Sequence, residues 1–271
     1  MTTATLDRLL VYPVKSLDPL SVDRATLTAR GGLEWDRRYA MVDSDGAYVN
    51  GKRDARVHSV RSTVDITEGT ITLSEQGSDD EATFHLEADR EALTAWLTAV
   101  FGYEVRLIRE DDGGFPDDTE AAGPTLISSA TLERVASWYD GIDAAEMERR
   151  LRPNLVVGGV PAFWEDRLYE VPGWVVPFSV GEATLRGVNP CQRCVVPTRD
   201  PDTGEPTPEF RAHFLEKRRE TLPEWVNPAW FDHYFRLMVN TRVRDAGGAG
   251  GETLAVGDSV SAHDPQEEPD A

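Results

Sequence analysis

Cysteine, lysine and long apolar runs are what this 271-residue chain has least of. It holds two cysteines, and only Lys15, Lys52 and Lys217 among its 28 Lys and Arg. Two cysteines exclude a four-cysteine zinc site, and the histidines lack the short spacing that would complete a two-cysteine, two-histidine one. A structural disulfide is not expected in a reducing compartment. No stretch approaches the roughly 18 to 20 apolar residues of a membrane span. No apolar segment follows a basic N-terminus, so no secretory signal is expected and a cytoplasmic location is. Neither a GxGxxG fingerprint nor a ferredoxin-like cysteine set occurs. Positive charge is itself short: Asp and Glu number 48 and the net charge is -20. Such a surface repels phosphate backbones, which argues against a nucleic-acid partner.

What is present is enough for a folded core. At 40% hydrophobic and 8% aromatic residues, a chain of this length suggests two compact domains or one large one. Abundant carboxylates, a pI near 4.6 and missing lysines resemble a halophilic composition. In molar salt the repulsion among carboxylates is screened to about 3 Å. Any lysine kept in such a chain is of interest.

Residues 5–14 read as a strand stopped by Pro13. Leu20, Val22, Ala25 and Leu27 alternate and predict a strand over 20–29. Residues 38–42 and 47–49, around Ser44-Asp45-Gly46, predict a hairpin. Strands are also predicted over 57–66, 70–73 and 103–108. Leu93, Trp96, Leu97 and Val100 recur at helical spacing and predict a helix over 87–101. The acidic stretch 110–123, rich in Gly and Pro, reads as a domain joint. Beyond it, strands are predicted at 125–127, 155–157, 168–169, 175–185, 237–243 and 254–260. Helices are predicted over 130–138, with Ser129 as N-cap, 143–150 and 208–220. Residues 247–251 read as a flexible turn and 263–271 as a fraying acidic tail. The sum is mainly β with some α (α+β), divided at 1–115 and 116–271, with β-barrel-like units.

Both cysteines lie in Asn189-Pro190-Cys191-Gln192-Arg193-Cys194. Alone, this CxxC could be a redox dithiol, which normally needs a helix N-terminus at the first cysteine, or a pair of packed small residues. The run from Cys191 to Gly204, CQRCVVPTRDPDTG, carries more information. It resembles the CxRCxxxTxDPxTG pattern of the MOSC domain, the module shared by the C-terminus of molybdenum cofactor sulfurases and the amidoxime-reducing enzymes. Upstream, Arg152-Pro153-Asn154-Leu155-Val156 resembles that family's RPN segment. Tyr12-Pro13-Val14-Lys15-Ser16 and Gly32-Leu33-Glu34-Trp35-Asp36-Arg37 resemble signatures of its N-terminal β-barrel partner. Val256-Gly257-Asp258 resembles the VGD turn near its end. The five motifs stand in the family order.

The resemblance implies an N-terminal MOSC β-barrel domain packed on a MOSC domain, with a molybdenum cofactor, a metal-bearing molybdopterin, in the cleft between. It implies one metal-ligating cysteine, Cys194, which is also the catalytic one. A soft thiolate suits such a metal, and an adjacent cation such as Arg193 lowers a thiol pKa. Cofactor contacts are implied for Lys15, Ser16, Arg37, Ser129, Arg152, Asn154, Arg193 and Thr198. Lysine is a mobile point charge on phosphate and arginine a fork. Other readings stand beside these: an ion pair with Asp36 for Arg37, a turn cap for Asn154, a helix cap for Ser129, a turn contact for Thr198. Asp258 reads equally as a turn aspartate, Lys52 as a cleft or a loop residue, and Cys191 as packing.

The resemblance further implies an oxidoreductase that reduces N-hydroxylated (N-oxygenated) small molecules. Its electrons come from a separate protein of ferredoxin or flavoprotein type. The alternative is a molybdenum cofactor carrier or sulfuration-related binding protein without turnover. If the cofactor reading is right, Lys15, Arg37, Arg152 and Arg193 must line one cleft.

Overall fold

The computed structural model describes residues 4–243 and 251–268; most of the glycine-rich turn and the last three residues fall outside them. The N-terminal half contains β1 (Thr5–Val11), β2 (Leu20–Ser21), β3 (Arg24–Thr26), β4 (Tyr39–Asp43), β5 (Val60–Asp65), β6 (Thr70–Glu75), β7 (Ala82–His85), α1 (Arg90–Phe101) and β8 (Val105–Arg109). The second half contains β9 (Leu126–Ser128), α2 (Ser129–Ala136), α3 (Ala144–Leu151), β10 (Leu155–Gly158), β11 (Trp174–Val180), β12 (Ala183–Gln192), α4 (Phe210–Glu220), β13 (Arg236–Val243), β14 (Thr253–Ala255), β15 (Val260–Ala262) and β16 (Gln266–Glu267). Strands dominate, with four α-helices among the described residues, so the class is α+β. None of the described helices is long and apolar enough to cross a membrane.

The main sheet runs β15-β11-β12-β13-β9-β10-β1-β2, with β16 added on β11. β9 and β10 pair in parallel, and α2 with α3 forms the crossover that a parallel connection requires. The two ends of the path approach each other: Leu6 donates its N–H to the Asp258 carbonyl and Val260 to that of Ala4, both at 2.8 Å. β1 is covered on both faces. Leu6, Leu9 and Val11 enter the cluster inside the curled sheet. Leu10 and Tyr12 enter the layer packed by the helices, with Leu132, Met147 and Phe214. A register shift between Leu6 and Arg8 adjusts the two sets.

The N-terminal half keeps a second core. Leu93, Leu97 and Phe101 of α1 are buried at helical spacing against β4–β8 and β5–β6–β7. Each such side chain contributes roughly 1.5–3 kcal/mol by burial. Gly102 closes α1 in the left-handed region at φ 72°, a glycine C-terminal cap.

The structure corrects several expectations. The strand over 20–29 divides, because β2 pairs with β1 whereas β3 pairs with β14. Leu168 and Tyr169 are buried but form no strand; the Leu168 carbonyl packs so tightly on Gly187 that a Cβ there would lie 1.7 Å away. The cap of α2 is Ser128, whose hydroxyl accepts from Thr131 N, not Ser129, which is the first helical residue. The tail does not wholly fray, since Gln266–Glu267 pairs with β11. β1, although N-terminal, lies in the main sheet beside β10.

Candidate functional site

A cleft of about 850 Å3 opens where the N-terminal loops meet the ends of β12, β13 and α3, within the roughly 300–1,000 Å3 usual for small-molecule sites. Lys15, Ser16, Arg37, Arg152, Arg193 and Cys194 all line it. Four non-glycine residues of its wall have left-handed backbones: Ser16 (φ 76°), Arg37 (φ 52°), Arg152 (φ 56°) and Met238 (φ 74°). That conformation is unfavourable for L-residues and gathers at functional sites.

Tyr12 is the hub that brings three motifs together. Burial pushes its phenol pKa up, with nearby Arg152 and Arg37 opposing, and its hydroxyl donates to the Pro153 carbonyl at 3.0 Å. The Arg152 guanidinium lies over its ring at 4.1 Å and that of Arg37 at 5.7 Å. Its N–H donates to Asp36 at 2.9 Å, and Asp36 also pairs with Arg37. Arg152 donates to the Leu17 carbonyl and Arg193 to that of Leu151, both at 2.7 Å. Residues far apart in sequence are thus clamped into one wall.

The two cysteines differ, and neither is in a disulfide. Cys194 lies just past β12, partly exposed on the cleft wall. Cys191 is buried, and its thiol donates to Asn240 Oδ1 at 2.7 Å. Burial pushes its pKa up to about 12, so it remains a thiol at neutral pH.

The cleft reverses the charge of the molecule. Two lysines and eight arginines line it against four carboxylates, in a chain of net charge -20. Among the described residues, Arg61 Nε, Arg193 Nε, Arg199 Nε and His58 Nε2 are buried without a hydrogen-bond partner, and all four residues line the cleft. Native interiors leave few such groups unpaired. Burial, aided by Arg152 and Arg199, lowers the His58 pKa to about 4; the ring is therefore neutral at pH 7. The fixed positive charge comes from arginine and lysine.

Three expected contacts are not on the cleft wall. Asn154 is fully buried. Its amide donates to Leu10 O and Asp36, and its oxygen accepts from Thr125 N and Oγ1. It ties β1 to β10 and is linked through Asp36 to Arg37 on the cleft wall. The Ser129 hydroxyl faces the Val157 carbonyl at 3.5 Å. The Thr198 hydroxyl donates to the Val195 carbonyl at 2.7 Å, a turn contact. Asp258 accepts from Ala255 N at 2.8 Å, as a turn aspartate does. Lys52, read as a cleft or a loop residue, does line the cleft, as do Arg150, Arg199 and Asp117, which the sequence reading had not proposed as contacts. Arg150 bonds the Pro197 and Arg199 carbonyls at 3.1 and 2.7 Å; the double arginine just before Leu151 was its only trace in the sequence.

Comparison with known families decides the kinship. The MOSC N-terminal beta barrel domain matches residues 3–112 and the MOSC domain residues 124–261. The chain belongs to the MOSC family. It is similar to mitochondrial amidoxime-reducing component 1 of Homo sapiens, at 26% identity over 86% of this chain and 78% of that protein. The corresponding protein of Danio rerio is 27% identical over 85% of this chain and 79% of its own length. Molybdenum cofactor sulfurase of Homo sapiens is 20% identical over 81% of this chain, which spans 29% of that longer protein. In this MOSC protein, the matched spans leave 113–123 between them, and residues 116–123 of that segment line the cleft.

Proposed function

We propose that this protein binds a molybdenum cofactor and reduces N-hydroxylated small molecules with electrons from a separate ferredoxin- or flavoprotein-type donor. The observation that carries the reading is the placement of Cys194 on the wall of a strongly cationic cleft. The donor set suits the group. A thiol is a soft metal ligand, and buried, unpartnered guanidinium nitrogens favour an anion with several oxygens.

When bound, that group supplies two-electron chemistry at the metal. This chain's residues hold and orient it. Cys194 would be the metal ligand. Arg193, fixed by Leu151 O, and Arg152, fixed by Leu17 O and the Tyr12 ring, present positive charge without having to reorganise. Lys15 and Ser16 approach from the opposite motif. Cys191, kept protonated by burial, orients Asn240 and does not compete for the metal. Reduction of an N-hydroxyl group consumes two electrons and two protons and releases water.

The test is reduction of a benzamidoxime-type substrate with reduced viologen, using protein from a host that makes the cofactor, together with its molybdenum content. Turnover that depends on molybdenum is expected. Molybdenum without turnover would favour a carrier or sulfuration-related role, in keeping with the sulfurase relatives.

A further inference from the structure

Two of the chain's three lysines meet on one carboxylate. Asp117 Oδ1 lies 3.0 Å from Lys15 Nζ and 3.1 Å from Lys52 Nζ. Lys15 also donates to the Phe115 carbonyl at 2.8 Å. The third lysine, Lys217, pairs with Glu220 on α4. Asp117 belongs to the acidic segment between the two matched spans, and that segment is anchored on both sides of it. Phe115 N donates to the Arg37 carbonyl at 2.8 Å. Gly114, at φ 64°, packs so closely on Asp36 and Arg37 that a Cβ would lie 2.6–2.7 Å from their carbonyl oxygens. At the far end, Gly123 N donates to Thr241 O at 2.9 Å. The backbone therefore holds Asp117 over the lysine pair, while the carboxylate itself remains 54% exposed.

We propose that Asp117 is a built-in counter-ion: it occupies the Lys15–Lys52 pair, and an anionic ligand group must displace it to use those lysines. This inference rests on the reading of the cleft as an anion-binding site. The consequence is selectivity by charge. A carboxylate ligand merely replaces one carboxylate by another, whereas the dianion of a phosphate monoester gains a second charge against the same two lysines and Arg37. Partial loss of water in the cleft opposes the charge on Asp117, but Lys15, Lys52 and Arg37 together hold its carboxyl well below the usual range. It is therefore an ionised competitor at every working pH.

Titration calorimetry with inorganic phosphate, on the full chain purified from a host that does not make the cofactor, tests this. Asp117→Asn is expected to tighten phosphate binding about tenfold, within the usual range of coupling between two sites. Asp117→Glu, which keeps the charge, should stay near the parent. Adding Lys15→Met and Lys52→Met to Asp117→Asn should abolish the gain. Equal or weaker binding in Asp117→Asn with an unchanged melting temperature would overturn the proposal, and so would the absence of phosphate binding by both the parent and Asp117→Asn. If Asp117→Asn itself melts early, the difference between Asp117→Glu and a milder Asp117→Ser decides. Molybdenum content, measured on the same chain purified from a cofactor-making host, separates the two readings. Molybdenum in the parent with phosphate binding indifferent to Asp117 removes the counter-ion alone. A tenfold gain in a protein that takes up no molybdenum removes the cofactor reading alone.

Discussion

Arg218 and Lys15 are both nearly inaccessible cations holding a carboxylate, yet they sit in opposite charge balances. Arg218 on α4 makes two bonds to Asp166 at 2.7 and 2.8 Å, with both side chains wholly buried. Tyr169 adds a hydroxyl bond to Asp166 at 2.9 Å. The neighbouring Glu165 is also buried and accepts from Thr131 at 3.0 Å. There carboxylates outnumber the guanidinium, and burial together with Asp166 raises the Glu165 pKa to about 7. Around Lys15 the imbalance is reversed: one half-exposed carboxylate faces two lysines, with Arg37 also acting on it. The first cluster is closed and joins a helix to the segment before the main sheet's long hairpin. The second is open on its carboxylate side. Surplus positive charge, more than burial of charge, distinguishes the cleft from the core.

The contrast breaks most visibly on deleting one partner. Asp166→Asn removes the carboxylate that bonds the buried Arg218 twice and leaves Glu165 alone to offset its charge, so it should destabilise the fold by about 3 kcal/mol, the low end of the cost of breaking a buried pair, read by urea unfolding. Lys15→Met fills similar volume and leaves a carboxylate that water can reach, so it should cost less than about 1.5 kcal/mol. Comparable losses would erase the distinction. A smaller effect concerns pH. Folding raises the Glu165 pKa from 4.5 to about 7, so the folded state binds the extra proton. That contribution is fully present below about 4.5 and is lost as the pH rises through about 7. Glu165→Gln should flatten this slope and stabilise the protein at pH 8 by on the order of 1–3 kcal/mol, read by thermal unfolding at several pH values. The smallest change is Lys52→Ala, an exposed ion-pair partner, which should move stability by less than about 1 kcal/mol while weakening phosphate binding in calorimetry.

Much of the fold was legible because the patterning was local. The helical spacing of Leu93, Trp96, Leu97 and Val100 appears directly in α1, where Leu93 and Leu97 are buried and Trp96 and Val100 pack partly buried against the same core. The apolar run of β10 matches a strand buried on both faces. Leu168 misled because burial without alternation fits a strand as well as a turn packed on Gly187. At the site, the motifs pointed to Lys15, Arg37, Arg152 and Arg193, and these line one cleft. Asn154 was harder to place: an amide that suits a ligand edge also suits a strand junction, and only the fold shows it bonded to Leu10 and Asp36. Asp117 had no signature at all. In a joint written EDDGGFPDD, composition cannot tell which aspartate folds back onto a lysine and which faces water.

If Cys194 holds a molybdenum cofactor in the cationic cleft, as proposed, its removal must cost the protein its metal. Elemental analysis of the parent, Cys194→Ala and Cys191→Ala, all purified from a host that makes the cofactor, tests it most directly. The expected result is molybdenum stoichiometric with the parent chain, none with Cys194→Ala, and substantial retention with Cys191→Ala. Molybdenum at background in the parent, or equal loss in both variants, would contradict it.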